Sequence, residues 1–276
     1  MEDKQLEAFE IDCLLGAILL RYGYDFRNYA QASLKRRIHN RLTLSNLQHV
    51  SEMIPRILYD EHFFSEFLCD MSITVTEMFR NPEVFKFIRE KVVDKLRTYS
   101  RINIWNVGCA TGEEAYSIAI ILAEEGLLNK THIYATDYDN QALAVAKTGI
   151  YPANVMQQYT ENYLKAGGRQ SFSDYYQARY ESAKMKKNLR EKITFANHNL
   201  MQDGSFAEMH LILCRNVLIY FNQTLQNSVL SLLRDSMVHH GYLVLGDKET
   251  LDFSSVANDF ESVDKQRRIY RKKRLR

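Results

Sequence analysis

The stretch INIWNVGCATGEEAYSIAIILAEE, residues 102–125, decides the fold. It opens on a short apolar run, Ile102–Val107, turns through Gly108 and Gly112, and continues from Glu113 as a helix-like segment over 113–125. Strand, glycine turn and helix in that order make the first half of a βαβ unit. Ligands of such units lie beyond the carboxyl ends of the strands, and glycines there let the backbone approach closely. The turn is not the GxGxxG dinucleotide fingerprint, because Ala110 fills the middle position. Glu113 and Glu114 at the helix start would also repel a pyrophosphate. A cationic cofactor suits this turn better.

Toward the C-terminus, strand-like runs at 133–136, 193–196, Met209–Cys214 and 242–246 alternate with helical patterns such as 140–147. That alternation predicts an α/β domain whose parallel sheet is covered on both faces. Asp137 ends the second strand, 25 residues after Gly112, where an acidic side chain accepts hydrogen bonds from ribose hydroxyls. An adenosine cofactor without phosphates, carrying a sulfonium and an amino acid end, meets both conditions. S-adenosylmethionine, demethylated to S-adenosylhomocysteine, is that molecule. Between 151 and 192 the alternation gives way to a polar, tyrosine-rich stretch, read as an insertion; a long helix and loop is the other reading.

Toward the N-terminus the pattern is helical. Leu6, Phe9, Cys13, Leu14, Ala17 and Ile18 recur at helical spacing, with Gly23 as a stop. Ser33 serves as N-cap of a second helix through Leu42, with Leu34, Ile38 and Leu42 as its apolar stripe and Lys35, Arg36, Arg37 and Arg41 as a basic polar side. Two more helical segments follow, 47–59 and Glu61–Met71. Asn81-Pro82 then starts a helix whose buried stripe is Val84, Phe85, Ile88, Val92 and Leu96. The organisation expected is a helical N-terminal domain over 1–71, an interdomain segment and helix over 72–98, and a cofactor-binding domain over 99–276 with an inserted subdomain at about 152–192.

Composition sets the outer bounds. With 46% hydrophobic and 25% charged residues, 11 glycines and 3 prolines, the chain is globular rather than disordered or fibrous. Cys13, Cys69, Cys109 and Cys214 are far apart, so neither a CxxC metal pair nor a disulfide framework is suggested and reduced thiols are expected. An acidic, polar start and a longest apolar run of 118–123 predict a cytoplasmic protein without membrane insertion. Eight Lys/Arg crowd residues 265–276, read as a solvated basic end.

Four blocks, ITVTEMFR (73–80), WNVGCATGEEAY (105–116), ATD (135–137) and CRNVLIYF (214–221), occur in one order. Together they resemble the chemotaxis receptor methyltransferases, the CheR-type family, over nearly the whole chain. The resemblance implies a Rossmann-like S-adenosylmethionine-dependent methyltransferase domain, a small all-helical N-terminal domain and an inserted small β-subdomain. It implies transfer of a methyl group to glutamate side chains of a chemoreceptor-type, methyl-accepting protein. By the same resemblance Thr74, Thr76 and Arg80 are cofactor contacts in the interdomain segment, with Arg80 also catalytic, and Gly108 belongs to the cofactor loop. Glu114, with Glu113 as the alternative, matches the amino-group contact, Asp137 the ribose contact, and Asn199 and Leu200 an adenine-side pair. Cys214, Arg215 and Tyr220 match the motif beside the methyl group, with Tyr220 catalytic; Cys214 also reads as a small buried hydrophobe whose backbone is what matters. Arg36, Arg37 and Arg41 are implied to meet an acidic receptor helix. The sequence departs from the family at Thr74, where several relatives carry Asn, at Ala115, where Pro is usual, and at His239-His240-Gly241, where a Pro-Gly turn is common.

A carboxylate acceptor is already an anionic nucleophile, so the absence of a Ser-His-Asp or metal-cluster pattern is consistent with that chemistry. The basic helix and tail leave a nucleic-acid methyltransferase as a second reading. CRNV after the fourth strand, where an Asn-Pro-Pro-Tyr-like pocket for a flipped base would stand, speaks against it, and no nucleic-acid partner is expected. A non-catalytic adaptor that senses S-adenosylmethionine is the third, opposed by Arg80 and Tyr220. A monomer is expected.

Overall fold

The computed structural model describes residues 3–71 and 76–274. Among these, the chain forms two compact units: one holds residues up to 71 with Asn199–Gln202 and Ile219–Val229, the other holds the rest.

The first unit is built on α1 (Asp3–Tyr22), α2 (Gln31–Leu44), α3 (Met53–Tyr59) and α4 (Glu61–Met71). Its core gathers Leu14, Ile18, Phe26, Leu34, Ile38, Met53, Ile57 and Phe67, all fully buried. Gly23, at φ +78°, ends α1 by donating its N–H to the Leu19 carbonyl, as a left-handed C-terminal glycine does. α2 starts earlier than the sequence suggests. Its N-cap is Ala30, which offers no side-chain cap, rather than Ser33. A tertiary contact sets the start instead: the Ala30 N–H donates to the Tyr220 carbonyl at 2.8 Å, and Tyr29 pairs with Phe221 as an isolated antiparallel bridge.

The basic side of α2 needs a larger correction. Arg37 and Arg41 are buried with Leu34 and Ile38, so the inward stripe is 34, 37, 38 and 41, the i, i+3, i+4, i+7 spacing of one helix face. Arg41 pairs with Asp70 and, at 2.9 Å, with Glu66, which neutralises a cation that burial would otherwise penalise. Only Arg36 and, half-exposed, Lys35 remain toward solvent from the predicted basic face.

The second unit opens with α5 (Pro82–Phe87), which passes through a π-helical turn, Ile88–Val92, into α6 (Val93–Leu96). Val84, Phe85, Ile88, Val92 and Leu96 are all buried, as their spacing predicts. Then come β1 (Ile102–Val107), α7 (Glu113–Glu124), β2 (Thr131–Asp137), α8 (Asn140–Thr148), β3 (Ile150–Pro152), α9 (Met156–Lys165), β4 (Tyr176–Arg179), β5 (Ser182–Met185), α10 (Lys187–Arg190), β6 (Ile193–Asn197), β7 (Met209–Cys214), α11 (Gln223–Asp235), β8 (Met237–Leu245), β9 (Phe260–Asp264) and β10 (Ile269–Lys272). The unit boundary falls within α11.

Seven strands form the main sheet in the order β6-β2-β1-β7-β8-β10-β9. The first five run parallel, and β10 is antiparallel to both β8 and β9. From β1 the chain fills the sheet toward β6 and then restarts on the other side at β7, so the strand order reverses between β1 and β7. In open α/β sheets ligands bind outside the carboxyl ends at such a switch point. The insertion forms its own antiparallel sheet, β3-β5-β4, with α9 beside it in sequence. The segment read as a solvated basic end is instead partly an internal strand: Lys272 is buried and donates to the Arg234 and Met237 carbonyls. No described helix is long and apolar enough to cross a membrane.

Candidate cofactor site

The glycine turn after β1 folds as its residues require. Gly108 has φ +63° and a Cβ there would lie 2.4 Å from Val217 Cγ2; Gly112, the residue before α7, has φ +93° and a Cβ there would lie 2.9 Å from the Ala146 Cβ. Neither place admits a side chain without movement. Between them Ala110 also takes a left-handed conformation, φ 46°, uncommon for a residue with a Cβ. Asp137 holds it: the Ala110 N–H donates to Asp137 Oδ2 at 2.8 Å, while the Asp139 N–H donates to Oδ1 at 3.0 Å. Burial pushes the Asp137 carboxyl above its ordinary range against those amides. A carboxylate has about four lone-pair sites, so the carboxylate keeps capacity for hydroxyl donors.

Glu113 and Glu114, adjacent in sequence, face different surroundings. Glu113 is buried and accepts from the Thr111 hydroxyl at 2.7 Å and the Tyr159 hydroxyl at 3.4 Å. Desolvation lifts its carboxyl to about 7. Glu114 accepts from Asn106 Nδ2 at 2.8 Å and from Arg215 Nη1 at 2.6 Å. Arg215, its side chain 2% exposed, extends the line: Nη2 donates to Asn81 Oδ1 at 2.6 Å and to the Arg80 carbonyl at 3.1 Å, and the guanidinium lies over the Phe85 ring. A planar fork presents its donors in fixed, separate directions, which a compact ammonium does not.

Arg80 itself is half-buried between Phe79 at φ 56° and Asn81 at φ 57°. Two non-glycine excursions on either side of one residue cost of order 1–3 kcal/mol each and persist only where the surroundings fix them. Here the Phe79 N–H donates to the Ser117 hydroxyl at 2.9 Å, Asn162 Nδ2 donates to the Met78 carbonyl at 3.1 Å, and the Phe79 ring packs edge-on against Phe85, Tyr163 and Phe172. Asn81 heads the Asn-Pro helix start and Phe79 and Asn106 fall within the four blocks, but nothing in the sequence marks Phe79 as left-handed or Ser117 as its partner.

The second unit thus brings together Gly108, Glu114, Asp137, Arg80 and Arg215 at strand ends and adjoining turns. Cys214 is fully buried at the end of β7, its thiol pushed well above the ordinary value, so its backbone is the part that takes part in the sheet. Thr76 is half-buried, and Thr74 lies outside the described residues. The remaining candidates belong to the first unit. Asn199 is buried and its Oδ1 accepts from the Met201 N–H, and Leu200 is half-buried beside it. Tyr220 is half-buried with the Arg37 guanidinium 5.0 Å over its ring, and Arg37 also donates to the Met71 carbonyl.

Two observations test the fit of an adenosine cofactor with an amino acid end. Asn106 Oδ1, 1% exposed as a residue, has no hydrogen-bond partner among the described residues, and buried acceptors are seldom left so. The polar side chains also alternate in charge, acid at Glu114, base at Arg215 and acid at Asp137, which suits a zwitterion beside a diol. The residues fit. Switch point, glycine turn and strand-end acid define the class of S-adenosylmethionine-dependent methyltransferases.

Comparison with known proteins gives the particular family. The CheR methyltransferase, SAM binding domain, matches residues 74–269, and the CheR methyltransferase, all-alpha domain, matches residues 10–72. A protein of Pseudomonas putida named "Putative methyltransferase Cher3" is 49% identical over 95% of this chain and 96% of its own length. An uncharacterized 104.1 kDa protein of Rhodobacter capsulatus is 29% identical over 89% of this chain, a match spanning 26% of that protein. The chemotaxis protein methyltransferase of Listeria innocua is 28% identical over 83% of this chain and 85% of its own. The chain belongs to the CheR methyltransferase family, and S-adenosylmethionine is its cofactor.

Proposed function

We propose that this methyltransferase esterifies glutamate side chains of a chemoreceptor-type signalling protein in the cytoplasm, acting as a monomer. The observation that carries the reading is the hydrogen-bonded line Asn106–Glu114–Arg215–Asn81, which ends on the backbone of Arg80. When bound, S-adenosylmethionine supplies a methyl group on a sulfonium cation. Glu114 is suited to its ammonium, Arg215 to its carboxylate and Asp137 to its ribose hydroxyls, with Gly108 leaving the backbone free to approach; Thr74, Thr76, Asn199 and Leu200 are assigned to the same cofactor on the family resemblance.

Arg80 is assigned to the acceptor. A guanidinium fork holds and orients a carboxylate, and the neighbouring left-handed residues fix the backbone from which it projects. An ionised glutamate has no proton to give up, so positioning and exclusion of water are the protein's contribution. Tyr220 is assigned to the border of the transferred methyl, and the cation stacked on its ring restrains the ring. For the receptor, Arg36 offers an exposed cation on α2, whereas Arg37 and Arg41 act from within by shaping that helix.

The product tests the reading. A glutamyl methyl ester releases methanol in mild base, whereas methyl groups on base nitrogens, lysine or arginine do not. Label transferred from the cofactor into a host lysate is expected to run with protein, survive nuclease, become volatile after mild base and map to glutamates three or four residues apart on a helix. Base-stable or nuclease-sensitive label overturns the assignment of the acceptor.

A further inference from the structure

Glu249 lies in the turn that follows β8, and at 4% exposure it is among the most deeply buried acids of the second unit. Its Oε1 accepts from the Val217 N–H at 2.9 Å and the Leu218 N–H at 2.8 Å; its Oε2 accepts from the Asn216 N–H at 3.1 Å and the Gly246 N–H at 2.6 Å. Three of those amides belong to the turn after β7, which enters its course at Asn216 with φ 60°. That turn carries Arg215 at one end, and Val217 Cγ2 lies 2.4 Å from where a Cβ on Gly108 would be. One carboxylate thus fastens the turns after β7 and β8 to each other. Backbone amides converging on one anion form a fixed, charge-assisted arrangement.

We propose that Glu249 is a positioning residue for the cofactor site: its carboxylate holds residues 216–218 in the course that keeps Arg215 on Glu114. The inference rests on the reading of Arg215 and Glu114 as contacts of the cofactor's amino acid end. Burial raises the Glu249 carboxyl above its ordinary range even with four amides on it, so the anion is held at some cost, which a purely space-filling residue would not require. Glutamine has the same shape but turns an NH₂ toward two of the amide donors, and so loses the arrangement without opening a cavity.

The test uses the full chain and S-adenosylhomocysteine as the probe, with calorimetry on the wild type, Glu249→Gln, Arg215→Ala and the double variant, and amide hydrogen exchange at 216–218. Glu249→Gln is expected to weaken binding about tenfold and to speed exchange at 216–218 while leaving exchange in β1 and β2 unchanged. Because the effect runs through Arg215, the double variant is expected to bind no more weakly than Arg215→Ala alone. Wild-type affinity in Glu249→Gln, or losses that multiply in the double variant, overturns the inference. If Arg215→Ala itself binds as the wild type does, the reading of Arg215 fails first, and this route fails with it. Should Glu249→Gln not fold, Glu249→Asp, which keeps the charge on a shorter stem, is expected to show a smaller loss with the same non-additivity; wild-type binding there overturns the inference equally.

Discussion

Arg215 sets Nη1 2.6 Å from Glu114 Oε2 at the carboxyl end of the sheet, and the two charges are held by partners on both sides. Removing one member of a buried pair leaves the other uncompensated and is far more damaging than the pair is stabilising. Arg215→Ala is expected to lower unfolding free energy by about 3 kcal/mol and to weaken S-adenosylhomocysteine binding. Arg215→Lys should recover little of either, since a compact ammonium lacks the rigid planar fork that spreads separate donors to Glu114, Asn81 and the Arg80 carbonyl. Urea denaturation and calorimetry on the two variants decide this; near-complete recovery in the lysine variant would contradict it.

Glu113 gives a stability effect with a definite sign in pH. Its carboxyl titrates near 4.5 in the unfolded chain and near about 7 in the folded one. Between those values only the folded chain keeps the proton, so stability falls as pH rises through the window, and the full loss, about 3 kcal/mol, is present above it. Glu113→Gln should match the wild type near pH 4.5 and exceed it at pH 8, because Thr111 and Tyr159 are hydroxyls that can either donate or accept. Denaturation midpoints at the two pH values are the measurement, and a variant less stable than the wild type at pH 8 contradicts the reading.

Asp137 has two duties to separate. Asp137→Ala should weaken both S-adenosylmethionine and S-adenosylhomocysteine by about 1–3 kcal/mol through unpaired hydroxyls, and it also releases the Ala110 amide that keeps the loop left-handed. Ala110→Gly in the Asp137→Ala background eases the backbone but restores no hydroxyl acceptor. It is therefore expected to return part of the stability and little of the affinity in calorimetry.

On α2 the three arginines should part company. Arg36→Glu, at an exposed position, is expected to raise the apparent receptor KM, more so at low salt than at high, with the melting temperature unchanged. Arg41→Glu would set a third acid beside Glu66 and Asp70 and should lower the melting temperature sharply. Equal behaviour of Arg36→Glu and Arg41→Glu in a thermal melt would refute the division.

Parts of this architecture could be read ahead of the coordinates for a local reason. The glycine turn, Asp137 and the stripe from Val84 to Leu96 are short-range patterns in which neighbours in sequence share one task. Glu249 has no such signature, because three of its four partner amides lie more than thirty residues upstream and a lone acid beyond a strand carries no pattern. Arg37 and Arg41 are a different case. Their spacing with Leu34 and Ile38 places them inward, but a guanidinium is buried only with partners, and the acids that accept Arg41 sit on another helix. β10 was hidden by its own charges, since Arg271 and Lys272 look like a tail until Glu261 and two carbonyls are seen to receive them.

The place of β10 has a consequence for how the sheet is made. It is the last of the seven strands in sequence, yet it lies inside the sheet, and β9, which precedes it, touches the sheet only through it. During synthesis, then, β8 presents an open edge and β9 has nothing to pair with until residues 269–272 have emerged. A nascent or truncated chain ending before Ile269 forfeits two strands, not one, and leaves the backbone of β8 available to other chains, an aggregation hazard.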